Sequence, residues 1–258
     1  MSAPPASTAR VLPIHREIAR AILSTFRPRA DVYAERLDTT LEVDRLNDWC
    51  RERGFPSNHY VGEWRPKRRM GDDGTREFVP LSVEVVAQHV AGLRTVGFYP
   101  LHADDTCNSV SVDFDNHRGA RVVDCDPVED CARVATACAR AGLRCLANVS
   151  RGGGGAWLHV LPPRGTPARV ARAVLLRLLR DAGVRHVDEG GTFDALFPKQ
   201  DKTMKRAANG DQAARADIGN LFCVPVCGRW LRAEAPGTHF LNTNPLDLGA
   251  QLRALTEY

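Results

Sequence analysis

The sequence lacks the features that mark membrane, exported and repeat proteins. No apolar run approaches the roughly 20 residues that a membrane-spanning helix needs, and the opening MSAPPASTAR has no apolar segment behind it that would make a signal peptide. No internal repeat of useful period is present. We therefore expect a soluble cytoplasmic protein with no membrane partner.

Paired cysteine motifs are also absent. The eight cysteines include no CxxC pair and no second half of a finger-like site, so we expect no zinc. Cys131 and Cys138 lie seven residues apart on a predicted helix, which indicates small buried side chains in a reducing compartment.

What is present is an ordinary globular composition. The chain has 258 residues, of which 43% are hydrophobic and 26% charged, enough for one large domain or two coupled lobes. The net charge of +4 is too small to establish a polyanionic partner.

Helical and strand patterns alternate through the second half of the chain. Between Glu42 and Glu77 the sequence is polar and rich in Arg, Gly and Trp, which predicts a long loop or irregular insert. The basic residues of this insert either form a solvated loop or contact nucleic acid. The resulting class is mixed α/β, with sheets covered on one face. The patterns predict helices over 11–26, 83–91, 127–141 and 166–183, and strands over 95–100, 109–115, 144–150, 156–163, 192–197 and 219–226.

The stretch SVSVDFDNHRG ends an apolar strand on two acids. Residues two apart in a strand point to the same side, so Asp113 and Asp115 should project together while Phe114 faces a core. Two close carboxylates raise each other's pKa unless a cation neutralises them, and Mg²⁺ or Mn²⁺ prefers such oxygen ligands. A solvated strand end is the alternative interpretation.

A glycine run, SRGGGGAWLHV, follows one helix and one strand later. Backbone at Gly153 and Gly154 can approach a phosphate closely, while Ser150 offers a hydroxyl and Arg151 a positive charge. The flexible turn of a β-hairpin would have the same composition.

A third acidic position and a basic rim occur in FDALFPKQDKTMKR. Either Asp194 or Asp201 can supply a third carboxylate, and either can instead cap a turn. Together with the preceding features, this set describes a site for metal-assisted nucleotidyl transfer. The basic residues of the rim are Lys199, Lys202, Lys205 and Arg206.

In the order of its motifs, the chain resembles the archaeo-eukaryotic primase superfamily of primase-polymerases, most closely the primase domains of TOTE conflict systems. The resemblance rests on FRPRADVYAERL, VPLSVEVVAQHVAGLRTVGFYPLHADDTCNSVSVDFD, SRGGGGAW, FDALFPKQD, GNLFCVPV and GRWLRAEAPGTHFL. It implies an N-terminal tail and helix over 1–25 and a catalytic domain over 26–258.

The implied fold is α/β (α+β): a two-lobed catalytic core with an RNA-recognition-motif-like sheet and an N-terminal helical and irregular extension. The resemblance makes Asp113 and Asp115 metal ligands and catalytic residues. It places the third ligand on Asp194, with Asp201 as the runner-up. It also implies two bound metal ions, Mg²⁺ or Mn²⁺.

The second motif of the family pairs a serine with a histidine that binds nucleotide phosphates. Ser150 matches, but Trp157 stands where relatives usually carry the histidine, and His159 lies two residues later on the same strand face. Either His159 reaches the phosphate, or Trp157 stacks on a base or sugar while Arg151 and the loop amides hold the phosphate. Close relatives often carry a cysteine cluster before the PLS segment, where this chain has only Cys50.

The implied activity is that of a DNA primase and DNA polymerase. Its implied partners are a single-stranded DNA template with its primer, nucleoside triphosphates, and a separately encoded helicase. Arg229 is a candidate phosphate contact, with an ordinary surface arginine as the alternative. The candidate template-binding residues are Arg65, Lys67, Arg68 and Arg69, together with the lysines of the basic rim.

Three other functions account for less of the sequence. A module that keeps the fold and binds single-stranded nucleic acid or nucleotide without catalysis is favoured by the displaced histidine. A sugar-nucleotide transferase would leave FPKQD and GNLFCVPV unexplained. A nicking initiator needs a paired-histidine site beside a tyrosine, and none of the four tyrosines has such a neighbour.

Overall fold

A computed structural model gives the structure of the protein and describes residues 10–54, 57–70, 75–116, 125–203, 218–231 and 237–257. Within these ranges, no helix combines the length and the apolar character that crossing a bilayer requires. The helices are α1 (Pro13–Phe26), α2 (Thr40–Glu52), α3 (Val83–Val90), α4 (Pro127–Arg140), α5 (Ala168–Asp181) and α6 (Leu248–Thr256). The strands are β1 (Ala34–Arg36), β2 (Trp64–Pro66), β3 (Arg68–Met70), β4 (Arg76–Phe78), β5 (Thr95–Phe98), β6 (Thr106–Cys107), β7 (Val110–Phe114), β8 (Arg144–Val149), β9 (Ala156–Leu161), β10 (Thr166–Pro167), β11 (Phe193–Phe197) and β12 (Phe222–Cys223).

The first sheet has the strand order β12-β5-β1-β2, and all its neighbours are antiparallel. Helix α1 packs against α3 and α6, and its apolar face joins one core with this sheet. Ile18, Ile22 and Phe26 of α1 are fully buried there with Phe98 and Phe222 of the strands. Burial of side chains of this size is the main source of stability in such a core, at about 1.5–3 kcal/mol each.

The second sheet has the strand order β11-β7-β9-β8 and is also antiparallel. Its elements follow the chain order strand, helix, strand, strand, helix, strand, with the strands arranged fourth, first, third, second. This is the βαββαβ arrangement of ferredoxin-like and RNA-recognition-motif sheets. The expected RNA-recognition-motif-like sheet in a mixed α/β fold is therefore confirmed.

The two faces of the second sheet have different surroundings. Val112, Phe114 and Leu158 point to the face that α4 and α5 cover, where they form a second core. Asp113 and Trp157 lie opposite each other in register on the other face, which turns toward the first core. Strand alternation thus places the acids and the apolar core residues of β7 on opposite sides.

Local signals explain most helix ends. Ser82 caps α3 and Asp126 caps α4 with side-chain hydrogen bonds to backbone amides, as the sequence predicts. Cys131 and Cys138 are fully buried in the second core, so the expectation of small buried side chains is confirmed. The eight cysteines are all free thiols.

The expectation of an irregular insert from Glu42 to Glu77 was wrong for its first part. Residues 40–52 form α2, which starts at a capping box in which the Thr39 hydroxyl accepts from the Glu42 amide and the Glu42 carboxylate accepts from the Thr39 amide. Val43 and Cys50 give this helix a narrow buried side. The other residues of α2 are mostly polar or charged, so its sequence shows no clear helical periodicity of apolar residues. The later part contains the short strands β2, β3 and β4.

Candidate active site

Three aspartates meet at one end of the second sheet. Asp113 is the fourth residue of β7, and Asp115 follows the end of that strand. Asp194 lies in the neighbouring strand β11 at a bulge, where the register shifts between Phe193 and Ala195. A bulge redirects one side chain out of the regular alternation. The chain thus brings together the two acids of the DFD sequence and one acid 79 positions further on.

The electrostatics of Asp113 reflect this crowding. Burial, and then the negative charges of Asp115 and Asp194, raise the pKa of Asp113 from 3.8 to about 7, while Lys199 acts in the opposite direction. Its Oδ1 atom is buried and has no hydrogen-bond partner among the described residues. A buried carboxylate oxygen without a partner carries a desolvation penalty that a cation would remove.

The donor set fits a hard divalent cation. Carboxylate oxygens are the ligands that Mg²⁺ and Mn²⁺ prefer, and the unpartnered Asp113 oxygen supplies a coordination position. In the described part of the chain, no group of three or more His, Cys, Asp or Glu side chains is placed so that it could hold a metal ion as it stands. The three aspartates therefore have the ligand chemistry that a divalent cation prefers, but not the arrangement of a formed metal site.

Asp201, the other candidate for the third acid, has a different partner. Its carboxylate forms an ion pair of 2.8 Å with Nε of Arg172 on α5, and Arg172 also donates to the carbonyl of Pro198. Asp194, not Asp201, is the acid whose charge acts on Asp113. The segment that Arg172 holds carries Lys199, whose Nζ lies 5.1 Å from the centre of the Phe197 ring.

The glycine run forms a tight loop beside these acids. The amide of Ser150 donates to the carbonyl of Gly155 at 2.8 Å, and the Ser150 hydroxyl accepts from the Gly155 amide at 3.1 Å. A side chain on Gly155 would lie 2.5 Å from the carbonyl oxygen of Phe114, so only glycine lets β9 start this close to the end of β7. The Ser150 hydroxyl thus closes the loop.

The tip of the loop is open. Gly153 has a φ of +78°, which glycine adopts without strain, and its amide donates to the Ser150 carbonyl at 3.1 Å. A Cβ on Gly152 or Gly154 would meet no described atom within 4 Å. A ligand can therefore approach the backbone here without displacing protein atoms.

Arg151 shares an aromatic ring with a second arginine. Its guanidinium carbon lies 5.6 Å from the centre of the Trp230 ring, and that of Arg36 lies 5.9 Å from the same ring. No sequence pattern predicts a functional role for Arg36 or Trp230, although the tryptophan lies in GRWLRAEAPGTHFL. The sequence signal for this cluster is weak, because Arg36, Arg151 and Trp230 lie in three distant segments that only the fold brings together.

His159 does not occupy the phosphate-facing position that was one of the two alternatives. Its side chain has 1% exposure, Nδ1 lies 2.7 Å from the Ser111 hydroxyl, and Nε2 lies 2.7 Å from Oδ1 of Asn148. The ring also contacts Phe26 at 5.0 Å, and burial lowers its pKa to about 3. Both nitrogens are hydrogen-bonded inside the core, which favours the alternative in which Arg151 and the loop amides, and not this histidine, hold the phosphate.

Trp157 lies on the same face, as alternation predicts, but closer to the surface. It is half-buried, opposite Asp113, and packs against Phe197 at 5.3 Å and Phe222 at 6.1 Å between ring centres. Of the two residues, Trp157 is therefore the one beside the acids.

Arg229 belongs to an ion-pair network beside the first sheet. It contacts Asp38 at 2.9 Å and Glu42 at 3.3 Å, and it donates to the carbonyls of Gly92 and Leu93. These contacts join α2 to the turn after α3. A phosphate at Arg229 would have to compete with two carboxylates.

The candidate template-binding residues lie in and beside β2, an edge strand of the first sheet, and β3, which pairs with β4 in a separate two-stranded sheet. Most have acidic neighbours: Arg65 lies 3.8 Å from Glu63, Lys67 lies 2.6 Å from Glu35, and Arg69 lies 3.2 Å from Glu77. Arg68 packs on the Phe78 ring at 4.9 Å. Lys202 is exposed beyond β11, and Lys205 and Arg206 lie outside the described residues.

Comparison with known proteins gives a family match and similarity to solved structures. The polymerase domain of Mycobacterium tuberculosis ligase D in complex with DNA is similar over 96% of this chain and 86% of that chain, with 14% sequence identity and a TM-score of 0.45. No curated protein matches. The family model of the archaeo-eukaryotic primase domain of TOTE conflict systems matches residues 17–257. The chain therefore belongs to the archaeo-eukaryotic primase domain family of TOTE conflict systems, as its motifs indicated.

Proposed function

We propose that the protein is a metal-dependent nucleotidyltransferase, a primase-polymerase that extends a 3′-hydroxyl along a single-stranded DNA template. The observation that carries this proposal is the buried, unpartnered oxygen of Asp113, under the charges of Asp115 and Asp194, at the sheet end where the open glycine loop begins. Membership in the primase family supports the same reaction.

Asp113, Asp115 and Asp194 would hold two divalent ions, Mg²⁺ or Mn²⁺. Bound there, such ions would lower the pKa of the attacking hydroxyl and neutralise the triphosphate. The carboxylate of Asp113 would then be ionised, because a cation reverses the effect of its acidic neighbours. The half-buried Trp157 would pack on the sugar or base of the nucleotide beside it.

The phosphates of the incoming nucleotide would lie on the glycine loop. Backbone amides at the open positions Gly152 and Gly154 can donate to phosphate oxygens, and the Ser150 hydroxyl keeps the loop closed. Arg151 in the loop and Lys199 after β11 are exposed cations that could pair with the phosphates, and the charge of Lys199 already acts on Asp113. The reaction joins the 3′-oxygen to the α-phosphorus and releases pyrophosphate.

One observation favours a second candidate, a module that binds nucleotide or single-stranded nucleic acid without catalysis. The burial of His159 leaves the site without the histidine that relatives carry in the second motif. Catalysis would then depend on Arg151, Lys199 and the loop amides alone.

Primer extension on a single-stranded DNA template, with labelled deoxynucleotides and Mg²⁺ or Mn²⁺, separates the two candidates. We expect extension by the wild type, none by Asp113→Asn, and retained extension by the matched control Asp201→Asn, whose carboxylate pairs with Arg172 instead. Absence of extension by the wild type with both metals, together with intact template binding, would reject the enzyme and favour the binding module.

A further inference from the structure

The segment from His186 to Asp194 connects helix α5 to the acids. It runs through a short 3₁₀ turn, Val187–Glu189, and enters β11 just before Asp194. Gly191 lies so close to the backbone of Arg185 that a side chain would overlap its carbonyl group. Gly191 is thus packed against the residue that precedes the segment. Two hydrogen-bonded contacts hold the other end of the segment, at Thr192 and Asp194.

The first contact links helix α4 to Asp115 through Thr192. The Thr192 hydroxyl donates to Oδ2 of Asp130 at 2.6 Å, and the Thr192 carbonyl accepts from the Asp115 amide at 2.8 Å. Thr192 and Asp130 have only 1% and 2% exposure. Asp130 is in turn paired with Arg133 on the same helix.

The second contact links His186 to Asp194. Nε2 of His186 lies 3.2 Å from the Asp194 carbonyl, and Nδ1 lies 3.2 Å from the Asp188 amide. The bond to the Asp194 carbonyl needs the proton on Nε2, while Nδ1 also lies 3.2 Å from Oδ2 of Asp188. His186 therefore holds the backbone of Asp194 at the bulge of β11.

We infer that Thr192, Asp130 and His186 are positioning residues, which fix the backbone of Asp115 and Asp194 so that both carboxylates face Asp113. This inference rests on the proposed function, because it assigns these residues to the same metal site. A carboxylate on an end of a strand or on a bulge has few local constraints, and here the constraint comes from buried side chains of other elements.

The strength of the effect follows from the behaviour of groups that orient metal ligands. Removal of such a group weakens metal affinity by about 10-fold to 100-fold. Thr192 acts on one ligand through its backbone, so we expect the lower end of that range. A purely structural threonine would instead change the melting temperature and leave the metal affinity of the folded protein unchanged.

The test measures Mn²⁺ affinity directly, from the electron paramagnetic resonance signal of free Mn²⁺ titrated with the full chain in the absence of nucleotide. We expect Thr192→Val to raise the Mn²⁺ dissociation constant about 10-fold, and Thr192→Ser to restore it. Thr136→Val is the matched control, because its exposed hydroxyl donates to the Ala132 carbonyl at 2.9 Å on α4, away from the acids. Unchanged Mn²⁺ affinity in Thr192→Val would overturn the inference, whatever its melting temperature.

A second pair of variants keeps the inference testable if Thr192→Val does not fold. His186→Leu should weaken Mn²⁺ binding, and His186→Gln, whose amide can still donate to the Asp194 carbonyl, should bind more tightly than His186→Leu. Equal affinities in this pair and the wild type would overturn the role of His186. Asp113→Asn separates the two levels of the argument: wild-type Mn²⁺ binding that does not depend on Asp113 would reject the metal site of the proposed function itself.

Discussion

Replacement of Asp113 by asparagine should stabilise the metal-free protein at neutral and alkaline pH. Burial and the charges of Asp115 and Asp194 raise the pKa of Asp113 from 3.8 to about 7. Because the pKa in the folded state lies above the unfolded value, protonated Asp113 favours the folded state. That stability is fully present below 3.8 and is lost as the pH rises through about 7.

The size of the effect follows from the pKa difference. A shift of about three pKa units corresponds to about 4 kcal/mol, so ionised Asp113 lowers the free energy of unfolding by about that amount above pH 7. Asparagine resembles the protonated carboxyl in shape and has no charge to bury. At about pH 8, Asp113→Asn should therefore be about 4 kcal/mol more stable than the wild type, and at about pH 5 only about 1–2 kcal/mol more stable.

The assay is urea unfolding of both proteins in a chelator at these two pH values. Other titrating groups, such as the buried His89 and His159, are present in both proteins and cancel in the difference. Asp201→Asn is the control, since it removes an exposed carboxylate paired with Arg172 and should not stabilise the protein at high pH. A stability difference that stays constant between about pH 5 and about pH 8 would refute the electrostatic reasoning. Added Mn²⁺ should stabilise the wild type more than Asp113→Asn, because the variant lacks the carboxylate.

Further predictions concern the core and the glycines. His159→Ala should lower the free energy of unfolding by about 2–4 kcal/mol, since it leaves a cavity and two unpaired buried partners. The nucleotide affinity of the folded protein should stay unchanged, and a large loss of affinity would show that the His159 side chain does contribute to nucleotide binding. Gly191→Ala should destabilise by about 1–3 kcal/mol through overlap with the Arg185 carbonyl. Gly154→Ala, where a side chain meets only open space, should change stability by less than about 0.5 kcal/mol and weaken nucleotide binding; a Gly154→Ala protein that unfolds as readily as Gly191→Ala would contradict the open loop.

The helices and strands of the second sheet and its covering helices were predictable because each carries a local sequence signal. Asp126 and Pro127 start α4, an apolar stripe defines α5, and alternation defines β7 and β9. The cap at Thr39 was also a local signal. It was missed because only two buried residues give α2 an apolar side.

The pair Trp157 and His159 shows where alternation stops being informative. The period of two places both on one face, and the structure agrees. Alternation does not say how deep each residue lies along that face. His159 is covered by Phe26 of α1, which lies more than a hundred residues earlier in the chain. Trp157, two residues before His159 in β9, pairs in register with Asp113.

The sequence by itself determined the mixed α/β class, the family, the two acids of β7 and the glycine loop, because short-range periodicity and motif order carry that information. Only the tertiary structure paired Asp201 with Arg172, brought the charge of Asp194 close to Asp113, buried His159, and joined Arg36 to Arg151 through Trp230. These outcomes depend on contacts between distant segments, on depth in the core and on competing ion pairs. Such quantities arise when the sheets and helices pack together, and no local pattern encodes them.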